Sequence, residues 1–317
     1  MNSKAEVIQA IKEADSIVIV GHIRPDGDCY GSQMGLKDAI QTNFPEKKVY
    51  CVGSGLPLFF NHIGEMDVVP DEVIKNSLGI IVDLNEIERC EDQRVPRLAK
   101  KLIQIDHHII MFDFKFPFYV DEDACSTCAI IADILEDQKW KITEKGANAL
   151  YLGILTDSAR FEYVDDFPRV FRIAAYLCQL GAKPEVITRI LSASSEKFLQ
   201  LKGYALTHYR KKKGIIYLHL NASQIKKLGI KQSYGTAIIN TIGNVNGYPI
   251  WATFFENEEH TCIIEFRSNQ YNVCNTAMKY GGGGHMMAAG VTIKNFDLNI
   301  LNAIIESLAK EIRENKK

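Results

Sequence analysis

The stretch Ser16-Ile-Val-Ile-Val-Gly-His-Ile-Arg-Pro-Asp-Gly-Asp28 begins with a short apolar run and ends with three potential metal ligands. An apolar run between a serine and a glycine predicts a buried β-strand, and a helical pattern follows it over residues 30–43. The alternation continues to about residue 190, with predicted strands at 48–53, 79–83 and 102–106 and predicted helices at 146–156, 170–180 and 184–192. Strands that alternate with helices indicate an α/β fold with a largely parallel sheet and helices on both faces.

The length of 317 residues favours two domains. We predict a first domain at 1–192, a linker at 193–213 and a smaller α/β domain at 214–317, although a helical pattern also begins after Ser194. In the second domain, strands are predicted at 215–220, 250–256, 261–267 and 291–293, and helices at 223–228, 234–242, 273–279 and 298–312. The basic run Arg210-Lys-Lys-Lys213 is compatible with nucleic-acid binding, but a solvated hairpin or linker is the simpler interpretation.

The composition is that of an ordinary globular protein, with 46% hydrophobic and 24% charged residues. A net charge of -2 argues against a long duplex as partner, whereas a short oligonucleotide needs only a local basic pocket. No apolar stretch reaches the roughly 18 residues of a membrane span, and the N-terminus lacks the pattern of a signal peptide. The eight scattered cysteines indicate a reducing compartment, so we expect a cytoplasmic protein with no membrane partner.

Cys125 and Cys128 have the spacing of a zinc or redox motif. A second such pair and a nearby pair of histidines are both missing from the sequence around them. We therefore predict the start of a helix at this point, capped by Ser126 or Thr127.

Four apolar runs end in aspartate or histidine, and they lead to the sets His22, Asp26 and Asp28; Asp83; Asp106, His107 and His108; and Asp157. The carboxyl ends of neighbouring parallel strands meet in one crevice, so the first three sets are expected to converge. The fourth is expected to enter from the end of a helix. A single aspartate after a strand is usually a turn or a cap, but three potential ligands within seven residues are poorly explained in that way.

Mixed carboxylate and imidazole ligands suit Mn²⁺ better than an all-oxygen magnesium site or a thiolate zinc site. Four aspartates match the charge of two divalent cations, because one cation would leave uncompensated charge in a buried cleft. We therefore expect two Mn²⁺ ions in each active site, with Mg²⁺ or Co²⁺ as substitutes. Two ions bound side by side can orient a water for attack on phosphorus.

The glycine run Gly281-Gly-Gly-Gly-His285 is the second unusual feature of the chain. Each glycine is unfavourable in the interior of a helix or strand by about 0.5–1 kcal/mol, so neither element is expected there. A row of backbone N–H groups without Cβ atoms can instead cradle an anion. A metal centre in one half of the chain and a phosphate cradle in the other predict phosphoester hydrolysis.

These motifs together resemble the DHH phosphoesterase superfamily. The similarity rests on residues 21–32, on Asp83 with Arg89, on Asp106-His-His108, on Gly153-Ile-Leu-Thr-Asp157 and on the glycine run. It is strongest to the two-domain branch of bacterial nanoRNases and phosphoadenosine phosphate (pAp) phosphatases. The resemblance implies an active site in the cleft between the two domains. Leu84, Asn85 and Cys128 depart from the family pattern without replacing an expected ligand.

The resemblance also implies roles for individual residues. One ion would be held by His22, Asp26 and Asp83, and the other by Asp28, Asp83, His107 and Asp157. His108 and Asp106 would be the catalytic residues. His108 would act on the reacting phosphoryl group, and Asp106 would support it by orienting an imidazole. The implied substrate-binding residues are Arg89, Arg267, Asn272, Gly282, Gly283, Gly284 and His285.

Our main hypothesis is a Mn²⁺-dependent phosphodiesterase that degrades short RNA oligonucleotides to mononucleotides and also removes the 3′-phosphate of pAp. An alternative is hydrolysis of cyclic dinucleotides, or of their linear products pApA and pGpG, by the same centre. Family II inorganic pyrophosphatases share the N-terminal motifs but lack the glycine-rich loop, so they are a weaker match. A non-catalytic nucleotide-binding module would be expected to have lost ligands, and here every expected ligand is present. The sequence leaves the oligomeric state, including a homodimer, open.

Overall fold

The computed structural model describes residues 2–56, 62–109 and 115–315, and it divides into two units, Met1–Ala193 and Ser194–Lys317. Each unit has its own sheet and its own hydrophobic core. None of the helices in the described part of the chain combines the length and the apolar character that a bilayer span requires.

The first unit is built on a parallel sheet of five strands. In chain order these are β1 (Ser16–Val20), β2 (Lys48–Val52), β3 (Leu78–Val82), β4 (Lys101–Asp106) and β5 (Phe118–Val120). Their spatial order is β2-β1-β3-β4-β5, and every neighbouring pair is parallel. The apolar run that opens β1 is completely buried, as expected for a strand covered on both faces. The predicted parallel sheet is confirmed.

Eight α-helices cover the two faces of this sheet within the described ranges. They are α1 (Lys4–Glu13), α2 (Gly27–Asn43), α3 (Asp71–Lys75), α4 (Arg94–Leu98), α5 (Thr127–Gln138), α6 (Glu144–Asp157), α7 (Phe167–Gln179) and α8 (Pro184–Ser192). One core contains residues of α1, α2 and α5 to α8, and a second core contains residues of α3 and α4. Helix α5 begins where the sequence predicts, because the Ser126 hydroxyl accepts a hydrogen bond from the N–H of Ala129.

Helices α2 and α6 approach each other closely because glycines line their contact. A Cβ atom on Gly31 would lie 2.3 Å from the carbonyl oxygen of Ala149, and one on Gly35 would lie 2.4 Å from Leu150. At the start of α2, a Cβ atom on Gly27 would lie 2.3 Å from the Thr156 hydroxyl. The first turn of α2 therefore lies directly beside the last turn of α6. This contact positions side chains from two distant parts of the sequence.

The second unit contains a mixed sheet of six strands with the spatial order β10-β11-β9-β8-β7-β6. They are β6 (Arg210–Lys212), β7 (Ile215–Leu220), β8 (Ile250–Glu256), β9 (Cys262–Ser268), β10 (Gly283–His285) and β11 (Ala288–Ile293). Its helices are α9 (Glu196–His208), α10 (Ala222–Leu228), α11 (Tyr234–Ile238), α12 (Cys274–Lys279) and α13 (Leu298–Glu314), with a 3-10 helix at Ile239–Ile242. Helices α12 and α13 pack on one face, and α9, α10 and α11 pack on the other. The predicted smaller α/β unit is confirmed.

Two stretches differ from the sequence-based expectation. The predicted linker at 193–213 contains α9 and β6, because Leu201 and Ala205 recur at helical spacing and are buried against the sheet. The glycine run, for which no strand was expected, contributes β10. A Cβ atom on Gly284 would lie 2.5 Å from the carbonyl oxygen of Ala288, so the absence of side chains is what allows β10 to pair so closely with β11.

We predict that Gly31→Ala lowers the free energy of unfolding by about 1–3 kcal/mol, because the new methyl group must push against backbone. The same displacement should separate the ends of α2 and α6. The matched control is Gly203→Ala on α9, where a Cβ atom would meet nothing within 4 Å. That change should stabilise the protein by roughly 0.5–1 kcal/mol through helix propensity. Urea denaturation of both variants measures the difference, and a loss in Gly203→Ala equal to that in Gly31→Ala would contradict the packing argument.

Candidate metal centre

The centre lies at the carboxyl edge of the parallel sheet in the first unit. Asp83 directly follows β3, and Asp106 ends β4 immediately before the two histidines. His22 follows β1 by two residues, and β3 lies between β1 and β4. The strand order therefore brings the first three predicted sets of ligands to one place. Asp28 and Asp157 arrive from the adjoining ends of α2 and α6.

Asp83 lies between histidines from the two neighbouring strands. Its Oδ2 atom is 3.5 Å from Nε2 of His22, and its Oδ1 atom is 3.5 Å from Nε2 of His107. Asp83 is almost completely buried, and its backbone has a φ of 54°, in the left-handed region that non-glycine residues rarely adopt. Such strain persists only where the surrounding structure enforces it, and it is frequent at functional sites. Each carboxylate oxygen thus faces a different imidazole.

Asp28 and Asp157 complete the acidic group. The Oδ2 atom of Asp157 is 3.2 Å from Nε2 of His107. Asp28 is fully buried, and its two oxygens accept hydrogen bonds from the N–H groups of Thr127 at 2.7 Å and Cys128 at 2.9 Å. These N–H groups belong to the first turn of α5, where no carbonyl of the helix can accept them. The start of α5 therefore orients Asp28 and offsets part of its charge.

Each histidine of the centre is anchored through its Nδ1 atom. Nδ1 of His22 lies 2.9 Å from the carbonyl oxygen of Ile23, and Nδ1 of His107 lies 3.3 Å from the carbonyl oxygen of Ala124. In His108, Nδ1 lies 2.7 Å from Oδ1 of Asp106. When Nδ1 donates these bonds, Nε2 carries the lone pair, and for His22 and His107 that atom faces the aspartates. Hydrogen bonds of this kind are characteristic of histidines that ligate metals.

The carboxylates of the centre repel one another. Burial, and after it the charge of Asp83, raises the pKa of Asp28. Burial and the charge of Asp28 likewise raise the pKa of Asp157. Burial alone would also raise the pKa of Asp83, but the contacts with His107 and His22 outweigh it and hold the pKa below its usual range. The protein side chains thus compensate one aspartate well and leave the other two with excess negative charge.

This donor set fits divalent cations. In the described part of the chain, three groups have ligand atoms that all lie within 4.8 Å of one another, namely His22, Cys29 and Asp83; Asp83, His107 and His108; and Asp28, His107 and Asp157. Asp83 and His107 each occur in two of these groups. Carboxylate and imidazole ligands together are typical of Mn²⁺ and related ions. Cations would also remove the repulsion between Asp28 and Asp157.

Asp26 and Cys29 each have a feature that the sequence did not predict. Asp26, a predicted ligand, lies outside the three groups, and its Oδ1 atom accepts hydrogen bonds from the N–H groups of Asp28 and Cys29 as the cap of α2. Its Oδ2 atom is 3.8 Å from Nε2 of His22, so it still faces the centre. Cys29 belongs to one group, although the sequence analysis gave this cysteine no role at the site. Its place directly after the Asp26-x-Asp28 motif was the signal.

Asp106 has the geometry of a supporting residue. It is buried, and its Oδ1 atom lies within hydrogen-bonding distance of the backbone N–H groups of His107 and His108 as well as of Nδ1 of His108. Its Oδ2 atom accepts a hydrogen bond from the Gln104 side chain. Asp106 therefore fixes the ring of His108 and has little capacity left for other ligands.

The predicted substrate-binding residues lie in two places. Arg89 is exposed, and its carbonyl oxygen accepts a hydrogen bond from the N–H of Ile23, next to His22. In the second unit, Arg267 lies near the end of β9 and donates to Glu265 at 3.2 Å and to the carbonyl oxygen of Phe266 at 2.8 Å. Asn272 caps the turn before α12 by accepting from the N–H groups of Cys274 and Asn275.

The glycines of the run differ in exposure. Gly283 and Gly284 are exposed and Gly282 is half-buried. The backbone of His285 pairs with Ala288, and its side chain lies outside the described part of the structure.

Comparisons with protein families agree with the two units. Residues 16–154 match the model of the DHH family, N-terminal domain, and residues 215–314 match the DHHA1 domain. The first match contains the β1, β3 and β4 strand ends with their aspartates and histidines. The second contains Arg267 and the glycine run.

Several similar proteins have been described. The chain is 36% identical to the bifunctional oligoribonuclease and PAP phosphatase NrnA of Mycoplasma pneumoniae, over 92% of each chain. It is 30% identical to the protein of the same name from Bacillus subtilis, over 97% of this chain and 99% of the relative. The crystal structure of an exopolyphosphatase-related protein from Bacteroides fragilis has the same fold, with a TM-score of 0.88, 22% identity and coverage of 98% and 96% of the two chains.

We predict that Asp157→Asn raises the melting temperature of the metal-free protein, because it removes one of the repelling charges. The same variant should lose most of the rise in melting temperature that Mn²⁺ produces in the wild type, since a bound ion stabilises the folded state. Asp165→Asn, an exposed change in the same unit, is the matched control and should behave like the wild type in both conditions. Thermal scans in EDTA and in Mn²⁺ test this. An unchanged response of Asp157→Asn to Mn²⁺ would exclude Asp157 as a ligand.

Proposed function

Because the chain belongs to the DHH family, in the two-domain branch with a C-terminal DHHA1 domain, we propose that it hydrolyses the phosphodiester bonds of short RNA oligonucleotides. The observation that carries this proposal is the position of Asp83 between His22 and His107, with Asp28 and Asp157 beside it. That arrangement can hold two divalent cations side by side. The relatives that are named oligoribonucleases and PAP phosphatases support RNA and pAp as the substrates.

The two ions are proposed to be Mn²⁺, with Mg²⁺ or Co²⁺ as substitutes. His22, Asp26 and Asp83 would hold one ion, and Asp28, Asp83, His107 and Asp157 would hold the other. When bound, the ions neutralise charge on the phosphoryl group and activate a water. Asp83 would contribute to both sites, because its two oxygens face different histidines.

His108 is the residue proposed to act on the phosphoryl group itself. Its Nδ1 atom is held by Asp106, which leaves Nε2 to accept or donate a proton. Burial alone would lower the pKa of His108, but the hydrogen bond to Asp106 outweighs it and raises the pKa. A protonated ring would stabilise negative charge on a phosphoryl oxygen and then donate its proton to the departing oxygen. Asp106 is therefore a positioning residue for His108.

Arg267 is proposed to bind a second phosphate of the substrate, together with Asn272, Gly282, Gly283, Gly284 and His285. Its guanidinium group now contacts Glu265, and the Thr236 hydroxyl also donates to that carboxylate at 2.9 Å. A phosphate can therefore replace Glu265 as the partner of Arg267 without leaving Glu265 unpaired. RNA and pAp both have a second phosphate, so the same phosphate-binding site serves both reactions. Arg89, beside the His22 loop, is proposed to contact the substrate as well.

The proposed substrates are short, and the proposed location is the cytoplasm. Long RNA gains affinity through many contacts between phosphates and basic side chains. This chain has a net charge of -2 and therefore has no general excess of such side chains.

We predict that kcat/KM in the presence of Mn²⁺ falls as the RNA substrate lengthens from two or three nucleotides to ten or more. A short RNA already makes the limited number of phosphate contacts. Each additional nucleotide then adds only the entropic cost of ordering it. Labelled RNA of two to twenty-five nucleotides, with pAp, a cyclic dinucleotide and pyrophosphate in parallel, provides the measurement. Equal efficiency on 5-mers and 25-mers would contradict the proposal.

We predict that Arg267→Ala lowers kcat/KM on dinucleotides and pAp by roughly 10- to 100-fold, because a charge-assisted bond to phosphate is lost. The effect should fall chiefly on KM, with unchanged metal content. A small chromogenic phosphodiester with no second phosphate should be cleaved almost normally. Lys294→Ala, an exposed change in the same unit, serves as the control variant. If Arg267→Ala were equally impaired on all three compounds, Arg267 would act at the reacting phosphoryl group or in folding.

A further inference from the structure

The second unit contains a cavity of about 660 Å³ that the proposed reaction does not use. Four segments bound it: the turn between β6 and β7, the loop 244–249, the loop that follows β9, and the last turns of α13. Its size lies within the range of about 300–1,000 Å³ that is usual for small-molecule sites. The chemistry of its walls indicates what it can bind.

One wall of the cavity is cationic. It carries Lys213, from the turn after the basic strand β6, and Arg313, from α13. Lys213 forms an ion pair with Glu306. The hydrogen bond from Lys213, and after it the positive charges of Lys213, Arg313 and Lys212, hold the pKa of Glu306 below its usual value. Within the described ranges Arg313 forms no ion pair, so its guanidinium group is available to an anion.

The other wall is formed by amide side chains. Asn246, Asn269 and Gln270 are exposed, and their side chains make no hydrogen bond to any residue that the structure describes. The backbones of Asn269 and Gln270 are nevertheless held in place, because the N–H of Asn269 donates to the Pro249 carbonyl oxygen at 3.3 Å and that of Gln270 donates to the Ser268 hydroxyl at 3.0 Å. Each amide offers both a donor and an acceptor. This wall can therefore match the edge of a heterocyclic base.

The cavity is separate from Arg267 within the second unit. Side chains on a strand alternate between the two faces of the sheet. Phe266 of β9 packs in the same core as Ala309 of α13, and Ala309 also lines the cavity. Arg267 points to the opposite face, where its partner in the register is Trp251 of the other core. The cavity and the Arg267 side chain therefore lie on opposite faces of the sheet.

We propose that this cavity binds a ribonucleoside 5′-monophosphate group, either as a free mononucleotide or as the end of an oligoribonucleotide. Lys213 and Arg313 would bind the phosphate, since guanidinium groups make charge-assisted bonds to phosphate oxygens. Asn246, Asn269 and Gln270 would bind the base, and asparagine and glutamine pair well with adenine. The preference for a ribonucleotide over another phosphorylated heterocycle rests in part on the proposed function.

The test is calorimetric titration of the full-length protein in EDTA with AMP, adenosine, ribose 5-phosphate and 5′-phosphorylated triadenylate. AMP should bind more tightly than adenosine or ribose 5-phosphate, because only AMP engages both walls. Arg313→Ala should weaken AMP binding roughly 10- to 100-fold through the lost phosphate contact. Lys310→Ala is the matched control, because Lys310 lies one turn earlier on α13, pairs with Glu314 and does not line the cavity. It should leave the affinity unchanged.

Two further measurements locate the ligand. First, Arg313→Ala should weaken AMP binding in the Arg267→Ala variant as it does in the wild type. Second, 8-azido-AMP should label peptides that contain residues 244–249 or 269–271. A tenfold weakening of triadenylate as well as AMP by Arg313→Ala would identify the end of an oligonucleotide, whereas weakening of AMP alone would identify a free mononucleotide. Equal AMP affinity in Arg313→Ala and the wild type, or labelling confined to other peptides, would overturn the proposal.

The failure of this proposal can be distinguished from failure of the proposed function. AMP binding that depends on Arg313 in a protein that does not hydrolyse RNA would support the cavity and reject the reaction. Hydrolysis of short RNA, together with AMP binding that does not depend on Arg313, would support the proposed reaction and reject the proposed nucleotide site in the cavity.

Discussion

The repulsion among Asp28, Asp83 and Asp157 is the interaction on which the rest of the first unit depends. Burying an unpaired carboxylate is costly, and here the buried Asp28 and Asp83 and the partly exposed Asp157 lie around the same imidazole. Asp28 is offset by the amides at the start of α5, and Asp83 is offset by two histidines. Among the residues that the structure describes, Asp157 forms an ion pair with His107 alone. The remaining excess of negative charge is what makes the centre suited to divalent cations.

The fold creates this concentration of charge through two geometric devices. The parallel sheet brings the ends of β1, β3 and β4 to one edge, so that residues more than eighty positions apart in sequence become neighbours. The glycines of α2 then allow α6 to approach, which places Asp157 beside Asp28. The left-handed backbone at Asp83 turns its carboxylate towards both histidines. Sheet order, helix packing and local strain therefore all act to bring Asp28, Asp83 and Asp157 together.

Much of this arrangement could be predicted from the sequence, because apolar runs followed by aspartate mark strand ends in a parallel sheet. The bounds of α8, β7 and β8 agree with the prediction to the residue, and those of β1 to β4 agree within one residue at each end. The three residues of β5 were missed, since so short a strand is defined by pairing with β4 and not by a pattern of its own. The pairing of the glycine run with β11 was missed for the same reason. The cap formed by Asp26 and the place of Cys29 depend on three-dimensional contacts that spacing alone does not reveal.

Asp83 is proposed to join two cation sites into one centre, and the number of Mn²⁺ ions bound per chain is the direct test of that role. Equilibrium dialysis of metal-free protein against Mn²⁺, followed by metal analysis, gives that number for the wild type and for Asp83→Asn. We expect two tightly bound ions in the wild type and loss of tight binding at both sites in Asp83→Asn, because one carboxylate oxygen would face each site. Two tightly bound ions in Asp83→Asn, or a single ion in the wild type, would contradict it.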